Sequence, residues 1–211
     1  MTQQLFGGQP VIAFTKEPDR RTFLRYAALV GVGGTLAVAG LSERTALAQQ
    51  GGGGDLDILN YALTLEYLEA EFYERGVAGK ILQGRELELV TPIRDHEAAH
   101  VKAITQTVTK LGGTPATKPT FTFPPNTFTD RAAFLSTAST FEELGVTAYH
   151  GQVPLIKSGE VLAAAAAIAG VESRHAAILA DLTGGDPFPS AVEKAATMTQ
   201  VLAAAQPFIQ K

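Results

Sequence analysis

Four stretches of this chain carry apolar residues in alternating steps of three and four, the spacing that lines one face of an α-helix. Leu56, Leu59, Leu63, Ala70, Tyr73 and Val77 mark the first, and Val90, Ile93, Ile104, Thr107 and Leu111 the second. Leu135, Ala138, Gly145 and Tyr149 mark the third, and Val161, Ala165, Ile168, Leu179 and Leu182 the fourth. The pattern predicts helices over about 55–75, 85–111, 130–150 and 158–182. Asp55 or Asp57, Asp130 and Ser158 are placed to cap helix starts. Gly76 and Gly79, Gly112-Gly113 and Gly184-Gly185-Asp186-Pro187 supply the breaks. Pro92 falls inside the second helix, where a kink is expected.

Residues 114–129 are rich in proline and threonine and carry Phe121, Phe123 and Phe128. They are too polar and broken for a helix, yet long enough to return the chain along the bundle. The third helix is then parallel to the second. Residues 190–205 read as a short amphipathic C-terminal helix packed outside. The expected fold is all-α: an antiparallel four-helix bundle with a long crossover between helices two and three, a ferritin-like topology.

Each helical seam is interrupted by residues that a bundle core would ordinarily fill with leucine. Glu66 interrupts the first, Glu97 and His100 the second, Glu142 the third, and Glu172 and His175 the fourth. A lone glutamate followed about thirty residues later by Glu-x-x-His thus occurs twice, offset by 75 or 76 positions, with Tyr73 and Tyr149 seven residues after the lone glutamates. A buried unpaired carboxylate costs several kcal/mol, and four together repel one another. Two divalent ions would neutralise four carboxylates, and two imidazoles complete an N/O ligand set suited to iron or manganese, with zinc also compatible. The metal ligands are therefore read as Glu66, Glu97, His100, Glu142, Glu172 and His175. Glu97 and Glu172 are the expected bridges between ions roughly 3.5–4 Å apart. Tyr73 and Tyr149 are read as hydrogen-bonded core residues behind the ligands rather than redox groups. Glu71 and Glu74 lie off the seam on a solvated face, and Glu69 and Glu143 border it.

His96-Glu97-Ala98-Ala99-His100 also spells the His-Glu-x-x-His pattern of zinc metalloproteases. That reading leaves the second half of the repeat unexplained and needs His96, beside the seam, to turn inward.

Other features bound the setting. Asp19-Arg20-Arg21-Thr22-Phe23-Leu24-Arg25, an apolar run over 26–41 and Ala46-Leu47-Ala48 resemble a twin-arginine export signal over 1–48, followed by a glycine-rich linker over 49–54. Cleavage near Gln49 and retention as an anchor both stay open, though the apolar run is short for a membrane span, and none is expected after cleavage. Without the first 48 residues the chain holds 12 basic and 18 acidic residues, which argues against nucleic acid as a partner. No cysteine is present, so disulfides and iron–sulfur clusters are excluded.

The stretch from Asp55 through Glu66 to Glu69, with Phe141-Glu142-Glu143-Leu144-Gly145-Val146-Thr147-Ala148-Tyr149, resembles the ferritin-like domain of the desiccation-related proteins. The resemblance covers 55–211. It implies a ferritin-like fold and a non-haem di-metal centre formed by the six residues above. The expected function is that of an exported di-iron or di-manganese protein acting on oxygen, peroxide or Fe(II) in stress protection, in the periplasm, the cell envelope or outside the cell. The competing expectation is a non-catalytic stress or envelope protein with a structural metal. Homo-oligomerisation is left open, but nothing points to a storage cage.

Overall fold

The structure, a computed structural model, describes residues 54–210. The proposed export signal and most of the glycine-rich linker lie outside the described residues. Among the described residues five α-helices follow one another: α1 (Asp55–Ala78), α2 (Gly84–Lys110), α3 (Arg131–Gln152), α4 (Gly159–Thr183) and α5 (Met198–Ala205). Among the described residues there are no strands, only one isolated antiparallel bridge between Phe121 and Ile209. The first four helices form the expected bundle, with α1 packed on α2 and α3 on α4.

Contacts between helix ends fix the directions. Arg131 at the start of α3 pairs with Glu86 at the start of α2, so these helices run parallel. Gly76 near the end of α1 meets Phe134 near the start of α3, which makes that pair antiparallel. Lys110 at the end of α2 reaches Glu160 at the start of α4. Asp55 does not cap its own helix as the sequence suggested. Its carboxylate accepts the backbone N–H groups of Lys157 (2.8 Å) and Ser158 (2.7 Å), fastening the start of α1 to that of α4. Asp130 and Ser158 do cap α3 and α4. Gly112 and Gly184, at φ 75° and 77°, take the left-handed conformation that lets the chain leave α2 and α4.

Parallel α2 and α3 require the chain to travel the length of the bundle between them, and α1 is its track. Asn60 donates to the Thr114 carbonyl and accepts from Ala116 N, Glu71 pairs with Lys118, and Phe72 packs on Phe123 and Phe128. The C-terminal segment then closes over this strap: Thr122 N donates to Phe208 O, and Gln210 N to Thr120 O. The predicted helix over 190–205 is shortened to 198–205. Thr197 and Gln200 form a capping box that starts the helix there, while Ala196 N is spent on the Thr147 carbonyl of α3.

Two apolar layers result. An aromatic one surrounds Phe72, Phe134 and Phe141, where α1 ends; an aliphatic one surrounds Leu63, Ile104, Val161 and Ala165, where α1 begins. Between them each of α1 to α4 presents at least one buried glutamate. The seam differs from expectation at the end of α2, where Val108 is buried while Thr107 is only half-buried and Leu111 exposed, because 3.6 residues per turn carries the stripe past a strict three-step. α1 also buries a wider face than a stripe, including Tyr61, Leu65, Leu68 and Glu69.

Packing at the α1–α3 crossing is close enough to test. A Cβ at Gly76 would lie 2.0 Å from the Phe134 ring, itself fully buried and stacked on Phe72. Gly76→Ala is expected to cost about 1–3 kcal/mol by overpacking. Gly170→Ala, on the open face of α4 with nothing within 4 Å, is expected to stabilise by about 0.5–1 kcal/mol. Urea denaturation of the two variants would show opposite shifts in midpoint, and a neutral Gly76→Ala would refute this packing.

Candidate metal centre

The middle layer of the bundle gathers all six residues singled out by the repeat, together with a seventh. Glu66 and Glu69 come from α1, Glu97 and His100 from α2, Glu142 from α3, and Glu172 and His175 from α4. Three-residue spacing on α2 and α4 sets each glutamate and histidine on one face. Glu97, Glu142 and Glu172 are wholly buried, and none of the seven exceeds 8 % exposure.

The six form two groups of four whose ligand atoms lie within 4.8 Å of one another: Glu66, Glu97, His100 and Glu172, and Glu97, Glu142, Glu172 and His175. Glu97 and Glu172 belong to both. His100 Nδ1 lies 3.2 Å from Glu66 Oε2, 3.4 Å from Glu97 Oε2 and 3.1 Å from Glu172 Oε1. His175 Nδ1 lies 3.1 Å from Glu97 Oε1 and 3.3 Å from Glu142 Oε2. These nitrogen–oxygen approaches lack hydrogen-bond geometry. Glu66 Oε2, both oxygens of Glu97 and of Glu172, Glu142 Oε2 and the Nδ1 atoms of His100 and His175 are all buried without a hydrogen-bond partner. Orphaned buried polar atoms are rare in native proteins and expensive. Eight of them converge here as two sets of one nitrogen and three oxygens, a donor set that fits two divalent first-row cations. The residues present therefore fit a di-metal centre.

The remaining oxygens of the two lone glutamates are held by tyrosines, and the pairing crosses the repeat. Tyr73 of α1 donates to Glu142 Oε1 of α3 at 2.6 Å, and Tyr149 of α3 donates to Glu66 Oε1 of α1. Seven residues separate each tyrosine from its own glutamate, but antiparallel α1 and α3 bring each to the glutamate of the other. Burial first, then the neighbouring carboxylates, keep both phenols protonated and hence donors.

Two residues near the centre were not assigned from sequence. Glu69 is 4 % exposed, although it was placed at the border of the seam. Opposite it, a Cβ at Gly145 would lie 3.3 Å from Glu69 Oε1 and 3.1 Å from Glu172 Oε2. The repeat offset of 76 makes Gly145 the counterpart of Glu69; one half carries a carboxylate where the other leaves room for it. That correspondence was the available signal. Glu143 is exposed. His96 is also exposed but reaches the rear of His175, with its Nδ1 2.9 Å from His175 Nε2 and the rings stacked. Once Nδ1 of His175 holds a metal, its remaining proton would sit on Nε2 and be donated to His96. His96 belongs to neither ligand group, and no strand exists among the described residues to hold a peptide, so the metalloprotease reading loses its geometry.

Charge in the metal-free cluster is shared unevenly. Burial foremost, aided by like charge from neighbouring carboxylates, pushes Glu66, Glu69 and Glu142 well above the ordinary carboxylate range. Burial acts on Glu97 too, but His100 and His175 beside it hold it down at about 2. The imidazoles respond in kind: despite burial, surrounding carboxylates raise His100 to about 12 and His175 to about 10. His96 is lowered, by burial and then by the charge of His175 and His100.

The sign of the resulting pH dependence follows. Above about 6.5 an unfolded histidine has lost its proton, while His100 and His175 keep theirs in the folded metal-free protein. The folded state then binds more protons, so stability falls as pH rises from there toward 10. The raised carboxyls act in the same direction from 4.5 upward, whereas the Glu97 contribution is lost only as pH falls from 4.5 through 2. Metal-free protein should therefore melt lower at pH 9 than at pH 6, and scanning calorimetry in chelator that finds the reverse would contradict this charge distribution.

No match is found among curated proteins. The family described as ferritin-like domain matches residues 54–185, more than half of the chain and all four helices that build the centre. With the bundle topology and its buried Glu/His layer, that match establishes that the chain belongs to the ferritin-like domain family.

Proposed function

We propose that this chain is an exported ferritin-like protein whose six-residue ligand set holds two iron or manganese ions and reacts with oxygen, peroxide or Fe(II) in stress protection. The observation that carries the reading is the convergence of eight unbonded buried donor atoms into two four-residue groups sharing Glu97 and Glu172. A carboxylate-rich ion pair supplies access to a higher oxidation state, because anionic ligands offset the added positive charge. Glu97 and Glu172, each with both oxygens unbonded and each in both groups, would hold both ions. Glu66 and Glu142 would each hold one ion, and each is itself held by a tyrosine from the opposite half of the repeat. His96 sets the tautomer of His175, and no such partner stands at Val171, the position equivalent to His96 in the repeat. The stress role is supported by the resemblance to desiccation-related proteins. Export rests on Arg20-Arg21 and the apolar run after them. Its net acidic composition suits small-molecule or cation substrates rather than nucleic acid.

Metal should stabilise the fold by mass action. A thousandfold excess over Kd adds about 4 kcal/mol per site. Chelation at neutral pH is expected to lower the Tm clearly, and Fe(II) or Mn(II) to restore it. Glu97→Gln with Glu172→Gln should melt near or above metal-free wild type and ignore chelator, since it removes both the bridges and their repulsion. Indifference of wild-type melting to Fe(II), Mn(II), Zn(II) and chelator would end the di-metal reading. Metal-dependent melting without any oxygen- or peroxide-driven oxidation of loaded Fe(II) would instead assign the ions a structural role.

Export has its own test. Replacing Arg20 and Arg21 together with lysine should hold the protein in the cytoplasm, because the twin-arginine route reads the paired guanidiniums. Fractionation that finds unchanged export of this variant excludes that route.

A further inference from the structure

The aliphatic half of the bundle is not filled. Between the first half of α1, the last parts of α2 and α3, and the start of α4 lies a cavity of about 50 Å³. By the same measure a water molecule needs roughly 10–15 Å³, so there is space for a very small guest only. Ile58, Ala62, Ala148, Ile156, Val161 and Ala165 are among the apolar residues of its wall. Its outer side is formed by α2 and α4, where Ala103 and Ala164 line it and are themselves exposed. Its inner side includes Tyr149, the residue whose hydroxyl holds Glu66. The cavity thus extends from exposed alanines on α2 and α4 to the tyrosine that holds one residue of the candidate centre.

The lining selects the chemistry of the guest. The Thr107 hydroxyl is spent on the Ala103 carbonyl at 2.8 Å, and the Tyr149 hydroxyl on Glu66. The lining carries two further polar groups, the Tyr61 hydroxyl, buried without a partner, and the side-chain amide of buried Gln152. These two could hold a water at one edge, but the rest of the wall is apolar, and apolar cavities stay dry. A hydrated cation would be stripped of its shell with no charged ligand in return, and peroxide would find partners for its hydroxyls at that edge alone. A diatomic apolar gas loses nothing on entry. We infer that this cavity is a dioxygen-holding site on the Glu66 side of the centre, entered between α2 and α4; the inference rests on the redox reading above and names its oxidant.

Xenon is the probe, because a small apolar cavity binds it without reference to metal. Metal-free full-length protein, titrated with xenon under pressure and followed by ¹²⁹Xe and methyl NMR, should show saturable binding that shifts the methyls of Ala62, Ala148 and Ala165. Ala165→Leu should abolish that binding. In Fe(II)-loaded protein the same variant should slow oxidation by dioxygen at least fivefold relative to oxidation by hydrogen peroxide. Ala164→Leu, at an exposed position on the cavity's outer side, serves the same purpose if Ala165→Leu does not fold. Absence of saturable xenon binding in the wild type overturns the inference and leaves the metal reading untouched. An unchanged ratio of the two oxidation rates in a variant that has lost xenon also overturns it. Xenon binding at this site in a loaded protein that reacts with neither oxidant overturns the redox reading and this inference with it.

Discussion

Five carboxylates packed side by side across the middle of a helical bundle are the condition to which the rest of this molecule answers. Each would cost several kcal/mol if left charged and alone, and together they repel through a medium that screens poorly. The protein distributes that cost rather than avoiding it. Two imidazoles stand among the carboxylates, two phenols each take one oxygen, and a glycine on α3 opens the space into which Glu69 and Glu172 reach. What is left over is eight atoms without a hydrogen-bond partner. A bundle selected for stability alone would have leucine at those positions. The aromatic and aliphatic layers above and below hold the layer in register, so that its donors converge instead of splaying apart.

The two halves of the chain repeat each other closely enough to set up an approximate twofold relation, and the exceptions are instructive. The tyrosines obey it by exchange, each serving the glutamate of the other half. Glu69 and Gly145 break it, since only one half carries the extra carboxylate. His96 and Val171 break it again, since only His175 has a hydrogen-bonded partner at its rear nitrogen. The cavity lies beside the tyrosine that holds Glu66, with His96 stacked on the imidazole of the other ligand group. Two ions in such a site would not be equivalent, in ligand basicity or in what can approach them.

Most of the bundle was legible because amphipathic helices announce their buried face locally, and a glutamate on that face contradicts the pattern loudly enough to be noticed. The six residues of the buried Glu/His layer, the caps at Asp130 and Ser158 and the crossover all come from such local signals. What escaped depends on contacts between elements. A stripe of three and four marks a narrow seam, whereas α1 is flanked by α2, α3 and the crossover and buries a broader arc, which takes in Glu69. The exposed His96 matters only because α4 brings His175 beside it. Asp55 has the sequence context of a helix cap, yet its partners are a hundred residues away. Ala196 could have extended α5 backwards, but α3 offers its N–H a carbonyl first.

The placement of the two long non-helical segments has a consequence for access. The crossover runs beside α1, and the C-terminal segment packs on α3 and closes over the crossover, where Phe208 meets Phe123 and Phe141. Both segments therefore thicken the α1–α3 side and seal the aromatic half. The opposite side, where α2 faces α4, has small exposed residues at the cavity, Ala103 on one helix and Ala164 on the other. Alanine is the best helix former and carries no side chain to fill a groove, so α4 stays rigid while its flank stays thin. A site that had only to hold ions could be sealed equally on all sides. Here the covering is one-sided, and the thin side is the one that the cavity meets.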